Sequence, residues 1–305
     1  MSGVHGGDGS GREFDRVADE LRSRMAEGVY PVRSMLPAQR ELAQEFGVSR
    51  DTVQRVIREL REEGWIESRQ GSGSRVVRTQ VVHSPKSSER PDRTVTLGPL
   101  ISRAFEQDEV TLDVFTLSSE SLDTHIRVQA ERIQNGLIAP RRLALRMLLP
   151  DESLPFPYWR TADGVHDQQL KDRFLGIMRR HTAGLREKLN DLQSIGLVPT
   201  VKFEVRHVPL VPSLKIYLVN QTELLFGPYK VFKRPITLGE EEIEATDVFG
   251  RDAGLTHHVK EDDLNSQESV LVDQWQAWFD SNWEFLATEK SEAIPGGRRG
   301  FPARP

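Results

Sequence analysis

One stretch constrains this chain more than any other: residues 36–77, LPAQRELAQEFGVSRDTVQRVIRELREEGWIESRQGSGSRVV. Apolar side chains at Leu42, Phe46, Val48, Val53, Val56, Ile57 and Leu60 recur at helical spacing on either side of a break at Gly47-Val48. Ser49 stands where an N-cap belongs, its hydroxyl placed to accept from the free amides of a helix starting near Arg50. Two short helices joined through a glycine turn make a helix-turn-helix, and Gly64 ends the second. Arg50, Thr52, Gln54 and Arg55 occupy the first turns of that second helix, the polar groups a groove-reading helix end needs. Residues 65–68 and 74–77 read as two strands around the tip Gln70-Gly71-Ser72-Gly73, which makes the whole a winged helix.

In this ordered set of motifs the run resembles the DNA-binding domain of GntR-type bacterial transcription regulators. The matching residues are Leu36-Pro37, Arg40-Glu41-Leu42-Ala43, Val48-Ser49-Arg50, Thr52-Val53, Glu63-Gly64 and Gly71-Ser72-Gly73. The resemblance covers residues 12–78 and implies DNA contacts from Arg40, Ser49, Arg50, Thr52 and the wing at Gly71. Gln54 stands where an arginine is common in the family. Glutamine pairs with adenine in the major groove where arginine favours guanine, so the operator bases are expected to differ accordingly. Gln54 and Arg55 on the helix, and Arg69, Gln70 and Ser72 in the wing, complete the expected DNA-contacting set.

A chain of 305 residues has room for two domains. Its net charge of −5 looks wrong for a DNA binder until it is divided: residues 12–78 carry 13 Arg against 12 Asp or Glu, near neutrality, and the rest is acidic. Affinity for phosphates must then come from where the arginines lie, and two modules in a homodimer on an inverted repeat are expected. No cysteine is present, which excludes disulfides and thiolate chemistry. The start, MSGVHGGDGSGREF, lacks the pattern of a signal peptide, and no apolar run reaches the length of a membrane span, so a cytoplasmic protein is expected.

Residues 1–11, rich in glycine and serine, read as disordered, and Phe14, Val17, Leu21 and Met25 as the stripe of a first helix. Residues 79–93 read as a linker and 291–305 as a loose tail. The fold expected is therefore a two-domain α+β/α/β chain, an N-terminal winged helix-turn-helix followed by a mixed α/β effector domain over 94–290. Strands at 111–117 and 143–149 around a helix at 118–135 make a βαβ unit whose strands should be parallel neighbours. A long helix at 168–195, a strand at 201–207, a hairpin within 213–233 turning at Asn220-Gln221, strands at 243–249 and 255–259, and an aromatic helix from 267 to about 288 follow.

In the order of these elements the second half resembles phospholipase D-like domains, whose hairpin reads H-x-K-x4-D before a strand ending in glycine. Here Lys215 and Gly227 fit, while Ser213 takes the histidine's place and Asn220 the aspartate's. The family's histidine is the nucleophile, and serine beside no evident base does not replace it. The resemblance implies a non-catalytic site that keeps its lysine and binds a small anion. Ser118, Ser119 and Glu120 at a helix start, with Lys215, Tyr217, Asn220, Arg146 and His207, are the candidate ligand residues. No cofactor or metal is called for: His257-His258 before Glu261-Asp262-Asp263 reads as strand into acidic loop. The function expected is ligand-controlled transcriptional repression and no enzyme activity, with a dimerisation or docking module, or a phosphodiesterase, as rivals for the second half.

Overall fold

A computed structural model of the chain describes residues 7–26, 29–31, 34–62, 65–69, 73–76, 81–83, 95–238, 241–249 and 254–289. The N-terminal unit comprises α1 (Gly7–Ala26), α2 (Gln39–Phe46), α3 (Arg50–Glu62), β1 (Ile66–Arg69) and β2 (Gly73–Val76). Val17, Leu21 and Met25 of α1, Leu42 of α2 and Val53, Val56 and Leu60 of α3 are fully buried together, because each helix brings its apolar stripe to one centre. The disorder expected over 1–11 does not hold from Gly7 onward. Extending a helix already nucleated by the Val17–Met25 stripe adds residues without a second nucleation step.

The larger unit comprises β3 (Val81–His83), β4 (Val95–Thr96), α4 (Leu97–Ala104), β5 (Glu109–Phe115), α5 (Glu120–Gln134), β6 (Arg142–Pro150), α6 (Asp167–Ser194), β7 (Thr200–Val208), β8 (Leu214–Val219), β9 (Glu223–Pro228), β10 (Lys230–Leu238), β11 (Glu241–Phe249), β12 (Leu255–Val259) and α7 (Gln267–Phe285). Eight strands form one mixed sheet in the order β4-β3-β12-β9-β8-β5-β6-β7. The β5-α5-β6 unit has parallel neighbouring strands as read from the sequence, and β7 joins β6 in parallel. Alternation along the strands divides the core in two. Val114, Met147 and Tyr217 face α4, α5 and α6, while Phe115, Leu148, Ile216 and Leu218 face Val272, Phe279 and Trp283 of α7. The aromatic face of α7 is therefore core.

Three boundaries differ from the sequence reading. Within the stretch 79–93 expected as a linker, Val81–His83 form β3, which pairs in parallel with β12 and antiparallel with β4 and so belongs to the sheet. Val81 and Val82 are the β-branched signal that Ser, Pro and charge just downstream outweighed. The hairpin is β8–β9 alone, closed by Asn220 and Gln221 at φ 50° and 59°, with Thr222 N donating to Val219 O. Beyond Pro228, β10 and β11 form a separate two-stranded arm over nine residue pairs. Gly227 lies where β12 crosses closest to β9: a Cβ there would stand 2.0 Å from Gly254 O. Among the described residues no helix is long and apolar enough to cross a membrane.

Candidate nucleic-acid interface and effector site

The turn between α2 and α3 is built by two residues. Gly47 ends α2 at φ 64°, a left-handed conformation that glycine takes without strain. Ser49 then caps α3, its Oγ accepting from Thr52 N at 3.0 Å and lying 2.9 Å from Thr52 Oγ1. At the start of α2 the reciprocal bond is made: Glu41 Oε2 in the first turn accepts from the Ala38 amide at 3.0 Å. With Val53, Val56, Ile57 and Leu60 buried, α3 presents Arg50, Gln54 and Arg58 four residues apart on one exposed stripe. Arg58 did not figure in the sequence reading, although its i+4 spacing from Gln54 puts it on the same face.

Not all the residues read from sequence share that stripe. Arg40 is exposed at the start of α2 and Ser49 at the turn. Thr52 is 4% exposed with its hydroxyl tied to Ser49, so burial inside the cap takes it away from the surface. Arg55 lies with its guanidinium 5.0 Å over the Phe14 ring of α1. Arg69 pairs with Gly73 at the end of the wing ladder, and the tip residues Gln70, Gly71 and Ser72 lie outside the described residues. The wing is held to α2 by a third segment: Leu36 N donates to Ser74 O and Val76 N to Ser34 O, both at 2.8 Å.

In the larger unit Lys215 is 1% exposed. Its Nζ lies 3.3 Å from Ser121 Oγ in the first turn of α5 and faces the rings of Tyr217 and Tyr229 at 5.7 and 6.0 Å. Tyr229 Oη is fixed by Leu117 N and Thr116 Oγ1, both at 2.9 Å. Tyr217 is fully buried and its hydroxyl has no hydrogen-bond partner among the described residues. Burial, with Tyr229 beside it, pushes the Tyr217 hydroxyl well above the ordinary tyrosine value, so it stays a donor. Lys215 is thus no solvent-facing strand lysine.

The other ligand candidates do not gather around it. The Ser118 carbonyl accepts from Thr116 Oγ1, and Ser119 Oγ lies 3.0 Å from Thr182 Oγ1 of α6. Glu120 is half-buried at the head of α5, and its carbonyl accepts from Thr124 Oγ1. Asn220 closes the far end of β8, bonded through Oδ1 and N to the backbone of Thr111, about 17 Å along the strand from Lys215. Arg146 points to the opposite face of the sheet, forked onto Asp113 at 2.5 and 2.7 Å, bonded to Asp280 and packed over Phe279. His207 sits three strands away on β7, its backbone bridged to Thr288. Strand alternation and strand order, invisible in the linear spacing, separate these groups. His257 bonds Glu223 at 2.6 Å and His258 bonds Glu268 at 2.7 Å on alternate faces of β12, so the pair does not converge on one site.

Residues 14–76 match the family model described as bacterial regulatory proteins, gntR family. Residues 14–76 form a gntR-family domain. The Exu regulon transcriptional regulator of Escherichia coli (strain K12) is 43% identical over 72 residues, 24% of this chain and 28% of that protein. The Uxu operon regulator of Haemophilus influenzae (strain ATCC 51907 / DSM 11121 / KW20 / Rd) is 35% identical over 81 residues, 27% of this chain and 30% of its own length. The chain thus spans less than a third of the length of these curated relatives. Among solved structures, AraR(DBD) in complex with operator ORX1 is 30% identical, covering 25% of this chain and 96% of that one at TM-score 0.22.

The gntR-family domain is joined to the α/β unit by a ring of charges. His181 Nδ1 of α6 lies 2.8 Å from Asp123 Oδ2 of α5, and Asp123 Oδ1 accepts from Arg127 Nε at 3.1 Å. Arg127 Nη1 crosses to Asp19 of α1 at 2.5 Å, Asp19 accepts from Arg22 at 2.8 Å, and Arg22 donates to Glu59 of α3 at 3.0 Å. Glu59 also pairs with Arg180 at 3.3 Å, which returns the ring to α6. Burial raises the Asp19 carboxyl above its ordinary value in spite of the two arginines. Helix α3 is therefore linked through three ion pairs, Glu59–Arg22, Arg22–Asp19 and Asp19–Arg127, to α5, whose first turn holds Lys215's partner, Ser121.

Proposed function

We propose that the chain is a cytoplasmic transcription regulator, a dimeric repressor, whose gntR-family domain binds an inverted-repeat operator and whose α/β domain senses a small anionic ligand. The exposed Arg50-Gln54-Arg58 stripe at the start of a Ser49-capped helix is the observation that carries the DNA reading. Arg50 and Arg58 would meet phosphates or guanine edges, Gln54 a base, and the wing the neighbouring minor groove. Fluorescence anisotropy on operators recovered by random-site selection tests this. Arg50→Ala should lose specific binding with an unchanged melting temperature, and retention of a full footprint by that variant would remove α3 from the groove.

The sensing half of the proposal rests on Lys215, bonded to Ser121 in the first turn of α5, and on the buried Tyr217 hydroxyl without a partner among the described residues, its ring 5.7 Å from Lys215 Nζ. Movement of the α5 first turn would pass through Asp123 and Arg127 to Asp19 and shift the reading head. No nucleophile accompanies the lysine in the position the resemblance requires, since Ser213 is exposed, so binding without turnover is expected. A thermal-shift series with inorganic phosphate and phosphorylated sugars should raise the melting temperature of the native chain and leave Lys215→Met unmoved. Hydrolysis of a phosphodiester by the purified protein would overturn the non-catalytic assignment.

A further inference from the structure

The strand β7 closes the eight-stranded sheet on one side. It pairs with β6 along its length, and on its outer side the described residues provide only the bridge between His207 and Thr288. His207 N and O point outward, to Thr288, while Thr200 N points inward, to Arg141 O. By strand alternation the amides and carbonyls of Val201, Phe203 and Val205 also point outward. These residues are half-buried, and among the described residues no strand pairs with this edge.

We propose that this edge is where a second copy of the chain docks, antiparallel, about a twofold axis at Phe203, joining the two sheets into one. In that register Phe203 faces Phe203 of the second copy and Val201 faces Val205, so the outward backbone groups bond to one another. On the opposite face Lys202 meets Glu204 of the second copy, twice by symmetry. Centring the axis on Lys202 sets lysine against lysine; centring it on Glu204 sets glutamate against glutamate and Lys202 against Arg206. Shifts that set odd residues against even ones point outward amides at inward ones. Of the registers centred on Lys202, Phe203 and Glu204, charge favours the one at Phe203.

A lone lysine on an edge strand repels its own copy. Glu204, two residues on and bonded to Lys202 at 2.7 Å, turns that pattern into a self-complementary one. The antiparallel arrangement also brings the entry to β7, with Ile195 and Leu197 58% and 38% exposed, to the end of the interface where the second copy carries Phe285, 85% exposed. The inference deepens the dimeric reading above but rests on edge geometry, independent of DNA.

Sedimentation of the full chain tests it. The native protein should run at twice its 34.7 kDa. Lys202→Glu and Glu204→Lys, each placing like charges across the axis twice, should each weaken the dimer about tenfold or more. The double swap, Lys202→Glu with Glu204→Lys, should restore it. Val201→Pro, which removes an outward amide and no bond to β6, should also give monomer. A native monomer at all concentrations overturns the proposal, as does a dimer indifferent to the single swaps. In the second case operator binding that still depends on Arg50 leaves the regulator reading standing, so the two failures are told apart.

Discussion

Replacing Gly184 with alanine should move two observables in opposite directions. Gly184 lies inside α6, and a Cβ there would fall 2.7 Å from Arg127 Nη2 and 3.9 Å from Asp123 Oδ1. Alanine in a helix interior is favoured over glycine by about 1 kcal/mol, which in a unit of this size raises the melting temperature by about 2–4 °C. The methyl needs about 0.8 Å more room to reach ordinary contact, and the guanidinium end must supply it. Arg127 is held at both ends, by Asp123 through Nε and by Asp19 through Nη1, so the displacement falls on the pair that crosses between the domains. That pair is a quarter exposed on each side, and its loss is worth up to about 1 kcal/mol. The α/β unit should therefore melt higher while hydrogen exchange over 17–25 of α1 speeds up severalfold. Arg127→Ala alone should speed that exchange without raising the melting temperature, and adding Gly184→Ala to it should bring only the helix gain. A lower melting temperature for Gly184→Ala, or unchanged protection of α1, would refute the argument that Arg127 sits between two fixed anchors.

Removing the α3 cap by Ser49→Ala should cost the N-terminal domain about 1 kcal/mol in urea unfolding, with Ser49→Asp keeping most of it. Gln221→Gly should stabilise the α/β unit by about 0.5–1 kcal/mol, because Gln221 holds φ 59° in a turn that favours Asn-Gly; calorimetry checks the sign. The hydrogen bond from His257 holds the Glu223 carboxyl below its ordinary 4.5. Its contribution is complete above about pH 4.5 and is lost as pH falls through the lowered value. Glu223→Gln should consequently flatten the acid limb of the stability profile, and an unaltered limb would show that the bond is not made in solution.

The winged helix was legible because its signals are local. Ser49, Gly47 and the Val53-Val56-Ile57-Leu60 stripe act within one or two turns, and the structure places each where its chemistry requires. The βαβ unit was legible for the same reason, and so was the Asn220-Gln221 turn. What escaped depended on partners distant in sequence. Arg146 reads as a free cation until β5 supplies Asp113 and α7 supplies Asp280. Thr52 reads as a contact residue until its helix is packed. Helix α4 was missed although Leu97, Leu100, Ile101 and Ala104 have helical spacing, because Gly98 and Pro99 argue against it. Pro99 falls in the first turn, where its missing amide costs no bond. Asp19 and Arg127 are 108 residues apart, and no spacing rule connects them.

The place of β3 in the sheet would limit how far the reading heads of the proposed dimer can travel. A linker of 79–93 would be a leash of about 50 Å fully extended. With β3 beginning at Val81 and β2 ending at Val76, the actual leash is five peptide steps, about 17 Å at most. Half-sites of helix-turn-helix dimers lie about 34–36 Å apart, and slack of this size cannot absorb a wrong spacing. The interval between two operator halves would then be set by how the two sheets are held together. Inserting a few base pairs at the operator centre should abolish two-headed binding, while lengthening the chain between Val76 and Val81 should recover it.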